Sequence, residues 1–327
     1  MINFFKTLNP LGILWLAILL FALRAGYLFN APALNGFAFT DLFARLLLVP
    51  GLYAIPSFYN VLLAAVLVFI QALLLNHLVN HYNLLGKPTF LPALMFIVVS
   101  GLFTPFLVLS PPLICNFIVI WMLFKLFSFY KSKDAKSAAY DLGMIVAAGS
   151  IIYLPFIYFF LVIWTALIIF RPFNWREWAA CIMGYITVFF FLAVYYYLSN
   201  NLGQFYNAGL PPAAKFPGSI EIKYDNYMEL VPVIIIFVLC FIKLRQNFFR
   251  SYVQIRKSFQ LLFIVFLIAG LSFFVKGAFQ LNHFLLCAVP AAVFFSYYFL
   301  HAKRKWFYET LFGLLLISII YFQFNTF

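Results

Sequence analysis

An apolar run from Leu142 to Phe170 carries basic residues on both flanks. Lys131, Lys133 and Lys136 precede it, and Arg171 and Arg176 follow it. Cationic flanks mark the cytoplasmic side of a membrane. A single crossing would strand one flank on the other side. A straight helix of this length would rise about 43 Å, against a hydrocarbon core about 30 Å thick. Pro155 stands near the middle of the run, where it removes a backbone donor and crowds the preceding turn. Two short helices meeting near Pro155 therefore fit better than one long, tilted and kinked span. They would enter and leave from the cytoplasmic face, shielded from lipid by other helices.

Only 9 % of the 327 residues are charged and 66 % are hydrophobic. Soluble domains carry about 25 % charged residues. Repeated apolar runs of membrane-spanning length leave little room for a separate soluble domain. Fifteen of the 21 Lys and Arg fall in segments that can all face the cytoplasm, so the net charge of +13 reads as membrane topology rather than nucleic-acid binding. Cys115, Cys181, Cys240 and Cys287 all lie in apolar runs without metal-ligand spacing, and a disulfide framework is not expected.

Lys6 places the N-terminus in the cytoplasm. Nine full spans follow from the apolar runs 11–29, 52–75, 91–109, 113–130, 177–199, 230–242, 258–275, 281–300 and 307–322. The expected fold is all-α, a single polytopic domain over 1–327 with a re-entrant or broken hairpin at 142–170. The longest polar connection, 200–229, reads as an external loop. The C-terminus falls in the periplasm, and the membrane is the bacterial inner membrane.

Few ionisable residues stand near the outer surface. Asp41 and Arg45 are spaced i,i+4 and can form a structural ion pair on one helix face. Thr40-Asp41 can also cap that helix. Lys276 and His283 precede a late apolar helix. His77 and His81 share a helical face but have no nearby acid in sequence, so no metal site and no cofactor is expected.

Asp141-Leu-Gly143, Tyr153-Leu-Pro155 and Arg171-Pro-Phe-Asn-Trp-Arg-Glu-Trp178 resemble the DUF6427-type family of integral membrane proteins from Bacteroidota. That likeness implies no established chemistry. The late stretch from Lys276 through His283 to Pro290 is distantly similar to the membrane core of GT-C lipid-linked sugar transferases, and so is the broken central run. That resemblance implies a GT-C-like bundle with an outward-facing site. Asp41 would assist deprotonation of an acceptor hydroxyl or bind a metal, and Lys276 and His283 would hold the phosphate of a polyprenyl-phosphate sugar. The first external region is shorter than in those transferases and lacks their paired acids.

Three functions compete. The favoured one is a non-catalytic accessory or scaffold subunit that binds another inner-membrane protein. The alternatives are the polyprenyl-phosphate-dependent glycosyltransferase and a small-molecule or lipid transporter built on broken helices.

Overall fold

The computed structural model describes residues 2–29, 56–129, 135–203, 205, 224–247, 252–275 and 280–324. They contain helices and 3₁₀ turns and no strand. After a turn at Ile2–Phe5 come α1 (Leu11–Phe29), α2 (Ser57–His81), α3 (Leu91–Val99) and α4 (Pro111–Ser128). Next are α5 (Lys136–Ile152), α6 (Phe159–Phe170) and α7 (Trp175–Leu198). The chain continues through α8 (Tyr224–Asn247), α9 (Val253–Leu271), α10 (Ala288–His301) and α11 (Lys305–Phe324). Seven of the described helical segments are long and apolar enough to cross a membrane.

Helix is interrupted within 91–109 and 142–170, and 3₁₀ turns at Ser272–Val275 and Leu281–Cys287 end α9 and precede α10. The run 91–109, expected as a full span, is helical only to Val99. Gly101 and Pro105 follow, and a 3₁₀ turn occupies Thr104–Phe106. All nine residues of α3 are buried, mainly against α10 and α2. Non-helical backbone at membrane depth is tolerated when other protein elements cover it. Here the covering is explicit. Asn60 Oδ1 accepts from the Leu109 amide at 2.9 Å, and Arg24 Nη1 donates to the Leu107 carbonyl at 2.8 Å.

The central run breaks where Pro155 directs. α5 ends at Ile152, and Leu154–Tyr158 forms a 3₁₀ turn before α6. The turn folds back because Gly149 leaves room for the Phe156 ring. A Cβ at Gly149 would lie 2.3 Å from Phe156 Cδ1. Phe156 stacks on Phe159, with centroids 4.3 Å apart.

The register between α5 and α7 sets the path of the chain. Gly143 lies between Cys181 and Tyr185, and Ile151, about two turns further on, packs on the Leu192 and Tyr196 cluster. Residue numbers rise together on the two helices, so α5 and α7 run parallel. The intervening 154–170 segment must therefore travel back. α5 rises about 26 Å and the return about 28 Å by ordinary helix geometry.

Glycine makes the α5–α7 contact this close. A Cβ on Gly143 would sit 2.0 Å from the Cys181 carbonyl oxygen. One on Gly184 would sit 2.1 Å from the Tyr140 carbonyl oxygen. Small residues at such crossings let backbones approach and gain packing that lipid cannot supply. Tyr140 Oη adds a hydrogen bond to Thr187 Oγ1 at 3.0 Å.

Contacts along the other helices orient both ends of the bundle. Tyr308 donates to Asn3, Phe90 N donates to Phe5 O, Tyr82 donates to Phe124 O, and Lys125 pairs with Asp141 at 2.9 Å. These links share one end. Lys6, Lys87, Lys136, Arg176, Arg245, Arg256 and Arg304 lie at that same end. Arg24 stands apart, towards the opposite end beside Leu107.

Candidate functional site

The broken segments converge at the end away from this basic cluster. His283 opens the 3₁₀ turn Leu281–Cys287 that precedes α10, and it is only 2 % exposed. Its Nδ1 lies 2.7 Å from Tyr153 Oη. Its Nε2 lies 2.8 Å from the Ala269 carbonyl and 3.2 Å from Ser272 Oγ. A carbonyl oxygen only accepts, so a neutral ring carries its hydrogen on Nε2 and Tyr153 donates to Nδ1. Ser272 Oγ also donates to Ala269 O at 3.1 Å. One imidazole thus ties the central break at Tyr153 to the late break at Ser272.

The buried amides do related work. Asn116 Nδ2 donates to Leu285 O at 3.1 Å, which holds the 281–287 turn against α4. Gln71 Nε2 donates to Leu113 O at 2.6 Å in the first turn of α4. In hydrocarbon an unmet backbone group costs several kcal/mol, so each irregular stretch needs such a donor or acceptor. The sequence signal for them was present: a lone Asn, Gln or Arg inside an apolar helix, together with Gly- and Pro-containing breaks elsewhere. Spacing does not reveal which break each one serves.

Beside this junction lies an apolar cavity of about 500 Å³. Phe103 and Phe106 form one wall, and Phe266, Gly270, Phe284 and Cys287 form others. Volumes of about 300–1,000 Å³ suit small ligands. Water needs two to four polar partners to remain in a cavity, and this lining suits hydrocarbon instead.

The expected outer-face residues divide sharply. His283 is described, and both its ring nitrogens are engaged in the core links above. Asp41 and Arg45 lie outside the described residues, and so does Lys276. The expected external loop 200–229 also falls largely outside them; its described last residues, from Tyr224 on, are not loop but the start of α8. His77 and His81 both stack on Phe124, at 6.1 and 5.3 Å between centroids. That geometry makes them part of an aromatic cluster at the basic end.

Tyr153→Phe is expected to lower stability by about 1–3 kcal/mol, because it leaves a buried imidazole nitrogen without its donor. Thermal unfolding of the detergent-solubilised protein reads this directly. An unchanged unfolding temperature would remove the brace from consideration.

Residues 39–327 match the sequence model of a family described as a family of unknown function (DUF6427). No curated protein matches the chain, and no solved structure does.

Proposed function

The chain belongs to the DUF6427 family, and we propose that it is a non-catalytic scaffold subunit of an inner-membrane complex. The observation that supports this reading is the one-sided packing of α7. One face of α7 meets α5 at backbone distance through Gly184. Trp178 and Tyr185 pack on α6, while among the described residues Phe190, Phe191, Tyr195 and Tyr197 are all more than 60 % exposed. Aromatic side chains offer large contact areas, and tyrosine adds a polar handle for a partner. The engaged state of His283 favours the same reading, since a phosphate ligand would need a ring nitrogen released from the core.

In this proposal the basic end faces the cytoplasm, as positive charge around short connections requires. The 142–170 run then enters and leaves from that face as a hairpin. Cysteines placed near Arg171 and Arg304 should label from the cytoplasmic side, and one near Gln280 should label from outside. External labelling near Arg171 would refute the hairpin.

The scaffold role has its own test. Gentle detergent extraction should recover one membrane partner at fixed stoichiometry. Phe191→Ala combined with Tyr195→Ala should release that partner, because both side chains point away from the α5 contact. The doubly exchanged protein should still unfold at the wild-type temperature. A partner retained in full by the double variant would rule out this face, and a monodisperse monomer extracted without any partner would rule out the role.

A further inference from the structure

A second cleft, of about 470 Å³, opens between α8 and α9 at the basic end. Its chemistry is split. Arg245 from the last turn of α8 and Arg256 from the first turn of α9 line it, with Gln260 beside them. Phe241, Phe263 and Phe294 form much of its apolar wall. The rings form a connected surface, with Phe241 5.3 Å from Phe263 and 5.8 Å from Phe294 between centroids.

Two guanidinium groups above an aromatic wall match a molecule with one anionic end and one hydrocarbon end. Arginine is weakly hydrated and suits phosphate oxygens geometrically. The charge around the cleft points the same way. Lys243 and Lys257 are close in sequence. We propose that this cleft binds an anionic phospholipid. The phosphate sits on Arg245 and Arg256, and one acyl chain lies against Phe241, Phe263 and Phe294. Basic pockets between membrane helices on the cytoplasmic side are suited to such headgroups. This site is separate from the apolar cavity at the other end and from the exposed face of α7. Its test is independent of both the scaffold role and the direction of insertion.

The experiment is a lipid competition on the full chain in detergent, read by native mass spectrometry. Phosphatidylglycerol should be retained over phosphatidylcholine by at least about fivefold, as expected when one or two cations meet an anionic headgroup. Arg245→Gln combined with Arg256→Gln should abolish that preference. Lys303→Gln combined with Arg304→Gln, at exposed positions outside the cleft, should preserve it. Should the first double variant fail to fold, Arg245→Glu at an exposed position provides the same reading and should reverse the preference. Inorganic phosphate at matched ionic strength should not displace the lipid. The proposal is overturned by equal retention of both lipids, by preference surviving the Arg245 and Arg256 exchanges, by equal loss in the Lys303 and Arg304 control, or by displacement with phosphate alone.

Discussion

Gly143→Leu is expected to leave little folded protein in the membrane. The first added carbon would already lie 2.0 Å from the Cys181 carbonyl oxygen and 2.9 Å from the Tyr185 amide nitrogen. Both obstacles are backbone, so no side-chain rotation can clear them. α5 and α7 would have to separate along their shared face. Overpacking costs about 1–3 kcal/mol at ordinary core positions, and occasionally more. Gly143→Leu belongs at the upper end, because the overlap is with backbone and extends beyond Cβ. Gly184→Ala, with its Cβ 2.1 Å from Tyr140 O, should also destabilise. Gly313→Ala provides the control, since nothing lies within 4 Å of its added carbon. There a helical glycine is replaced without collision, and a gain of about 0.5–1 kcal/mol is expected. Yield after membrane extraction and unfolding temperature measure all three. Wild-type behaviour of Gly143→Leu would show that the two helices do not meet at this distance.

Glu177→Leu should be nearly as damaging, for an electrostatic reason. Glu177 is 2 % exposed, and its Oε1 lies 3.1 Å from Arg171 Nη2. Removing one member of a buried pair leaves the other charge uncompensated, at about 3–5 kcal/mol. Replacing both members with apolar residues avoids that penalty. Arg171→Met combined with Glu177→Leu should therefore recover much of the stability lost by Glu177→Leu alone. A double variant as unstable as the single one would show that packing, rather than charge, dominates the site. Glu177→Gln should fall between wild type and Glu177→Leu, because it preserves shape and one hydrogen-bond acceptor.

This pair lies in the connection between α6 and α7. Asn174 caps α7 by accepting from Arg176 N at 3.3 Å. Trp178 in the first turn stacks on Trp164 of α6, with centroids 5.4 Å apart. The segment Arg171 to Trp178 therefore combines an ion pair, a helix cap and an aromatic stack. Together they hold the end of the returning segment against the start of α7.

Local chemistry was enough to establish the helical class, the apolar segments, the basic connections and the interruption at Pro155. Each depends on composition, periodicity or the missing proline donor, and needs no distant partner. The 91–109 run shows the limit of such reasoning. Its hydropathy suits a complete span, yet helix stops at Val99 because Asn60 and Arg24 are positioned to receive the unwound backbone. Those partners are far away in sequence. His283 is a second case: its place before an apolar helix is compatible with a ligand or a core residue. Only the tertiary structure brings Tyr153, Ala269 and Ser272 to its ring. The glycines make the same point sterically. Gly143 and Gly184 look ordinary within their helices, and their necessity arises from a second backbone a few ångströms away. Sequence sets which segments can remain in the membrane, while long-range packing decides which broken ends meet and which polar groups close them.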